Sequence, residues 1–394
     1  MHFIGKIRAE HPAPFYIYDG KVISEQASIL QETFPGFQFL FSVKANPFLP
    51  VLKKMATLGI GADAASAKEV ALAIEAGMPA ENIYYSCPAP TNEDLAQVIG
   101  KCHIIADSFH VLILLEKLAG DRSLHLPVGL RIHPDFTMDG SPQVPSKFGM
   151  EESHIRAVDF AKKYPHLSFE GLHIHIRSQV LDTEQLGKYY DNVMALAVRL
   201  QDFLGTELKY INFGGGIGMV YNAEKQSPLD YKKLNKIISS AKEKQPLSAK
   251  LILESGRFLA CDCGTYVTEI VDIKESHGKK FYIVKNGANG FFKPVLRQFL
   301  LPFHPDHIGA FYEPFATEND SYDIYVLSDS DETEVVDIVG HLCSGADIMA
   351  KDVTVKKGTI GDLVTFNHAG SYAYSLAPLL FASQPMPQQF FIDA

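Results

Sequence analysis

Between residues 37 and 254 the chain repeats one alternation eight times: a short apolar, strand-like run, then a stretch with helical spacing. The runs fall at 37–43, 59–65, 82–87, 103–107, 126–132, 167–176, 207–213 and 250–254. Helical patterns between them include 66–76, 92–99, 108–118, 151–163, 183–204 and 230–244. Thr91, Ser108 and Asp182 stand where helix N-caps are expected, because a short polar side chain there accepts an otherwise free backbone N–H. Strands joined through helices lie parallel, and eight such units predict a closed (β/α)8 TIM barrel.

After Cys263 the texture changes. Runs at 266–273, 280–285, 322–327, 334–340 and 362–367 alternate with a period of two, between polar, Gly-rich spacers and with little helical pattern before Ala377. They predict a second, mostly antiparallel β domain. A first strand at 13–18 is expected to join it. The expected boundaries are 30–262 for the barrel, and 1–29 plus 263–394 for the β domain.

The bulk chemistry excludes several function classes. A formal charge of -10 argues against a nucleic-acid footprint or a membrane-surface face. No stretch approaches the ~20 apolar residues of a membrane-spanning helix, and the first residues lack the apolar centre of a secretion signal. Five scattered cysteines form no disulfide framework, so a cytoplasmic location is expected. Cys261 and Cys263 lack a second pair, and no metal site is expected from them.

In a barrel of this type chemistry gathers where the strands end. Those ends carry Lys44, Asp63, Ser86, Asp107, Arg131 with His133, His175, Gly214-Gly215-Gly216 and Glu254. Lys44 follows the apolar run Phe39-Leu40-Phe41-Ser42-Val43 and precedes Asn46-Pro47, which turns the chain. A lysine at the mouth of a buried strand is expected to be partly desolvated, which favours a nucleophilic amine; an ordinary loop lysine also fits the pattern. Glycines 214–216 allow backbone N–H groups to close around a phosphate. They do not form the dinucleotide fingerprint, because Met219 stands where its third glycine belongs. Glu254 needs a cationic partner, either a protonated ring nitrogen or Arg257. His173 and His175 share a strand face; they suit stacking on an aromatic cofactor, or a metal if further ligands lie nearby. A lysine that can form an imine, a phosphate nest, a ring-nitrogen carboxylate and a stacking histidine together suit pyridoxal 5′-phosphate (PLP).

With these features the sequence resembles the PLP-dependent decarboxylases of the alanine-racemase fold, which include diaminopimelate, ornithine and arginine decarboxylases. The segments that carry the resemblance are F-S-V-K-A-N (41–46), G-A-D-A-A-S-x-x-E (61–69), L-R-I-H-P (130–134), S-K-F-G-M (146–150) and G-L-H-I-H-I-x-S-Q (171–179). Further along come I-N-F-G-G-G-I-G (211–218), E-x-G-R (254–257), V-G-H-L-C (339–343) and G-S-Y (370–372). The resemblance implies Lys44 as the PLP lysine, Asp63 as its neighbour, His175 as the stacking residue and Glu254 as the ring-nitrogen partner. It implies Ser178, Gly214, Gly215, Gly216, Gly256, Arg257 and Tyr372 as phosphate contacts. It further implies a homodimer with shared active sites, in which the segment holding Cys343 and Asp347 comes from the partner, with Asp347 facing substrate. Cys343 would return a proton to Cα after CO2 leaves; a buried apolar cysteine is the plain alternative.

Several positions depart from the diaminopimelate-type pattern. Arg177 replaces the glycine of H-I-G-S-Q, and Ser255 replaces the proline of E-P-G-R. The R-P-x-L-Y segment becomes Lys293-Pro294-Val295-Leu296-Arg297, and C-E-S-x-D becomes Cys343-Ser344-Gly345-Ala346-Asp347. Ser344 thus stands where relatives that act on basic amino acids hold the distal ammonium with a carboxylate. With Arg177, Lys293 and Arg297 adding positive charge, the expected small-molecule substrate is an amino acid with an anionic or conjugated distal end, as in siderophore-pathway relatives. Other readings are a decarboxylase of diaminopimelate or another free basic amino acid, a PLP-dependent racemase, and a metal-dependent barrel hydrolase using His173 and His175.

Overall fold

The computed structural model describes residues 2–139, 141, 144–245, 247–300, 315 and 321–393, and the chain divides into two units. The larger comprises Gln26–Met219 and Ser227–Gly256; the other comprises Met1–Glu25, Val220–Gln226 and Arg257–Ala394.

After β1 (Phe15–Asp19), which belongs to the second unit, come β2 (Gln38–Ser42), β3 (Gly61–Ala64), β4 (Ile83–Ser86), β5 (His103–Ala106) and β6 (Leu126–His133). A two-residue β7 (Met150–Glu151) pairs on β6, followed by β8 (Leu167–Ile174), β9 (Tyr210–Asn212) and β10 (Lys250–Ser255). Every pairing is parallel, and β10 returns to β2, so β2–β6 with β8–β10 close an eight-stranded barrel. Its lower interior holds Leu40, Tyr84, Ile105, Tyr210 and Ile252. The Tyr210 side chain needs two glycines: a Cβ on Gly129 would lie 2.2 Å from its hydroxyl oxygen, and one on Gly171 would lie 2.1 Å from its ring. The helix expected over 151–163 is broken into Glu152–Arg156 and Phe160–Lys163.

In the second unit β1 pairs antiparallel with β11 (Gly264–Ser276), setting Tyr16 opposite Tyr266. Next come β12 (Lys279–Val284), β13 (Ile324–Leu327), β14 (Thr333–Gly340), β15 (Ile348–Lys356), β16 (Leu363–Phe366) and β17 (Gln388–Ile392). The sheet runs β13-β16-β11-β12-β14-β15, antiparallel except for β12 with β14, while β17 lies parallel to β1. Phe292–Leu300 is a helix with Lys293, Pro294, Val295 and Leu300 buried, so the unit has helix well before Ala377. Beyond Ala377 the chain makes a short 3-10 turn, Phe381–Ser383, and then strand β17, because prolines 378, 385 and 387 break any longer helix. Among the described residues no helix is long and apolar enough to cross a membrane.

Candidate active site

Side chains two residues apart on a strand share a face. Two steps beyond the inward residues 40, 61, 84, 105, 129, 171, 210 and 252 stand Ser42, Asp63, Ser86, Asp107, Arg131, His173, Asn212 and Glu254. All eight are buried and polar, so the apolar barrel floor is capped by a polar layer contributed by every strand of the ring. Such groups persist in a core only when paired, and they resolve into small clusters. Arg131 reaches Asp107 at 3.2 Å and lies over the Phe148 ring. Ser86 Oγ has no hydrogen-bond partner among the described residues.

Asp63 organises the second cluster. Its Oδ2 accepts the Ser42 hydroxyl at 2.9 Å and the Lys44 amine at 3.2 Å. Lys44 lies in a 3-10 turn, Val43–Ala45, directly after β2, and Asn46 resumes extended backbone ahead of Pro47. The Lys44 side chain is 49% exposed, so it is half-buried, and the buried Asp63 carboxylate lies beside its amine. After β3, Glu69 accepts the Ala65 N–H at 2.6 Å while Ser66 accepts the Glu69 N–H, so this acid serves the helix cap.

Glu254 centres the third cluster. Asn212 Nδ2 donates to its Oε1 at 2.7 Å, and His173 Nε2 lies 3.2 Å from the same oxygen. Burial alone would raise the Glu254 pKa, but His173, His175 and Lys44 outweigh it and hold the carboxyl below its usual range. His175 shows the opposite balance: burial, with the Arg131 and Lys44 charges, pushes it down to about 3 against the pull of Glu254. Its Nδ1 accepts the Gly215 N–H at 3.0 Å, which places the imidazole proton on Nε2.

The glycine turn is built around that ring. Gly214 has φ +66, and a Cβ there would come 2.6 Å from Ile174 O; a Gly215 Cβ would face His175 Cε1 at 3.3 Å. The single Tyr189 hydroxyl proton is shared between Ile174 O and Phe213 O, each 2.8 Å from Oη, tying the ends of β8 and β9 together. Gln179 exchanges two hydrogen bonds with the Met219 backbone, fixing the far end of the turn. Ser178 is partly buried in the same segment, and Arg177 pairs loosely with Asp139 at 3.8 Å. Gly256 is buried just past β10, whereas Ser255 occupies the strand face opposite Glu254.

Tyr189 and Gln179 escaped the sequence reading: a tyrosine inside a helix and a loop glutamine carry no local signal of what they brace. Asn212 did carry one, since it continues the inward face of Tyr210.

The second unit holds the remaining candidates. Arg257 is buried, donates to Tyr221 Oη at 2.6 Å and lies 5.4 Å from the centre of the Tyr372 ring. Lys293 is buried too, its Nζ 6.0 Å from the centre of the Tyr221 ring. Arg297 lies one turn further along the same helix, partly buried. Cys343 and Ser344 are exposed in the turn after β14, so Cys343 is not the buried apolar cysteine of the plain reading. Asp347, expected to face substrate, is instead buried, with Oδ1 accepting the Ala288 N–H at 2.6 Å and Oδ2 the Leu342 N–H at 3.0 Å. It holds the turn's backbone.

A family model described as pyridoxal-dependent decarboxylase, pyridoxal binding domain, matches residues 20–261. The chain is 32% identical over 387 residues to the L-glutamyl-[BtrI acyl-carrier protein] decarboxylase of Niallia circulans, covering 95% of this chain and 87% of that protein. It is 28% identical to the 2-[(L-alanin-3-ylcarbamoyl)methyl]-2-hydroxybutanedioate decarboxylase of Staphylococcus aureus, covering 99% of this chain and 96% of that one. Among solved structures, diaminopimelate decarboxylase from Helicobacter pylori complexed with L-lysine superposes with a TM-score of 0.84 at 26% identity, over 99% of this chain and 94% of that one.

Proposed function

The chain belongs to the pyridoxal-dependent decarboxylases, and within that family we propose that it removes the α-carboxylate of an amino acid whose distal end is conjugated or anionic, rather than of a free basic amino acid. One observation carries the proposal. The residue after Cys343 is the neutral, exposed Ser344, and the nearest acid, Asp347, is buried with both oxygens on backbone N–H groups. That turn therefore presents no carboxylate for a distal ammonium. The relatives from Niallia circulans and Staphylococcus aureus support the reading, since both names describe a conjugated amino acid rather than a free one. Arg177, Lys293 and Arg297 are the proposed contacts for that anionic portion.

The cofactor is pyridoxal 5′-phosphate, and the residues fit it: the turn at Gly214 is packed too closely on Ile174 and His175 to admit a Cβ, which keeps its backbone bare, and Ser86 has a buried hydroxyl without a partner among the described residues. When bound, the cofactor supplies a conjugated ring that takes up the electron pair left as CO2 departs. Lys44 would hold it through its aldehyde carbon and give way to the substrate amine, with Asp63 steering the amine. Glu254, ionised, would keep a proton at the ring nitrogen, and His175, neutral, would lie against the ring face. Gly216, with Ser178 and Gly256, would bind the phosphate through neutral donors, while Gly214 and Gly215, whose N–H groups go to Asn212 and His175, would shape the turn; the resemblance adds Arg257 and Tyr372 to these contacts. Cys343 would protonate Cα, acting in the partner's site of a homodimer.

The test is CO2 release from lysine, ornithine and meso-diaminopimelate, set against a citryl-diaminopropionate-type conjugate. Turnover confined to the conjugate supports the proposal; rapid turnover of a free basic amino acid overturns it.

A further inference from the structure

We propose that Asn212 is a positioning residue which sets the two ends of the cofactor cradle from a single amide. The inference rests on the cofactor assignment and not on the substrate proposed above. Asn212 is fully buried at the end of β9. Its Nδ2 donates to Glu254 Oε1 at 2.7 Å, and its Oδ1 accepts the Gly214 N–H at 2.9 Å. One end of the amide thus fixes the carboxylate meant for the ring nitrogen, and the other fixes the first glycine of the phosphate turn.

The chemistry leaves little choice of side chain. A carboxylate partner requires a donor and a backbone N–H requires an acceptor, so the residue needs both within one short, planar group. The amide's orientation is dictated by its two neighbours. Glu254 Oε1 also has His173 Nε2 at 3.2 Å. Oε1 is therefore surrounded by protein groups, which leaves Oε2 as the oxygen to meet the cofactor nitrogen. Gly214 transmits the other end: at φ +66 its position is narrow, and the next N–H, from Gly215, goes to His175 Nδ1. Without Asn212, Glu254 keeps a burial penalty with less support and the turn loses its anchor.

Two variants separate the roles. Asn212→Asp keeps an acceptor for Gly214 but sets a second carboxylate against Glu254, so the two acids share a proton. Asn212→Ala removes both contacts. Dissociation of PLP and of pyridoxal, which lacks the phosphate, is measured by equilibrium dialysis, and the visible absorbance of bound PLP is titrated with pH. For Asn212→Ala the expected result is PLP binding weakened roughly ten- to a hundred-fold, with a displaced absorbance titration. For Asn212→Asp the expected result is a PLP-over-pyridoxal preference within about threefold of wild type, a difference below one hydrogen bond, with the titration displaced. A purely structural role would not move the titration of a folded, near-isosteric variant. Should Asn212→Ala not fold, Asn212→Asp carries the test alone. Wild type that binds PLP beside an Asn212→Asp variant that titrates identically overturns the inference. Wild type that does not bind PLP overturns the cofactor assignment as well.

Discussion

Lys44 Nζ stands 3.2 Å from Asp63 Oδ2, the oxygen that also accepts the Ser42 hydroxyl. The half-exposed amine is thus aimed by a buried carboxylate, which itself is held by a neighbouring strand. Lys44→Ala is expected to lower kcat by about three orders of magnitude or more and to abolish the visible absorbance of bound cofactor. Asp63→Asn keeps the amine but not its aim, with an expected loss of roughly ten- to a hundred-fold in kcat/KM. Borohydride reduction followed by peptide mapping should still label residue 44 in Asp63→Asn. Label found elsewhere in the wild-type chain contradicts the assignment.

His175 makes stability depend on pH in a stated direction. Burial pushes its pKa down to about 3, whereas an unfolded chain titrates near ~6.5. Between those values the unfolded state binds a proton that the folded state refuses. Stability is therefore unaffected above the upper value and falls as pH drops through the window, by at most about 1.4 kcal/mol per pH unit for this one group. Urea unfolding at pH 7, 6 and 5 should show a steeper decline for wild type than for His175→Phe. Parallel declines would place the proton elsewhere.

The proposed homodimer is open to a mixing test. If Cys343 serves the partner's site while Lys44 serves its own chain, Lys44→Ala and Cys343→Ala are each inactive as pure dimers. A hybrid then contains one site with both residues intact. Refolding equal amounts together should restore about a quarter of wild-type activity, because half of the random dimers are hybrids with one working site each. No recovery, with hybrid dimers demonstrated by mass, argues that Cys343 acts within its own chain.

What the sequence discloses follows from which patterns are local. The barrel is legible because parallel strands between helices produce the same alternation eight times, and the polar layer follows from counting two residues beyond each inward position. Glu254 and Asp63 are visible by that rule, and so is Asn212, although glycines 214–216 drew attention away from it. How far Lys44 is exposed is not legible, since it depends on how the turn after β2 projects the side chain. Asp347 misleads for a related reason: a carboxylate in a motif reads as a ligand for substrate, and only tertiary packing brings the Ala288 N–H to it. The helix Phe292–Leu300 was hidden by a proline that in fact lies within its first turn, where proline is tolerated.

Buried Asp347 and exposed Ser344 are three residues apart in one turn, and their substitution should separate structure from specificity. Asp347→Ala leaves the Ala288 and Leu342 N–H groups without their acceptor, and losing two hydrogen bonds to a charged group should cost about 3 kcal/mol or more in unfolding free energy. Ser344→Glu adds a carboxylate at an exposed position, with little expected change in stability. Its effect should fall on substrate choice. A free diamino acid would gain a partner for its distal ammonium, while an anionic conjugate would meet a like charge. The ratio of kcat/KM for diaminopimelate over the conjugate is expected to rise about tenfold or more, equivalent to one charge-assisted hydrogen bond gained or lost. If Ser344→Glu leaves that ratio unchanged while Asp347→Ala alters it without loss of stability, the two roles are reversed and the distal end of the substrate is read by Asp347.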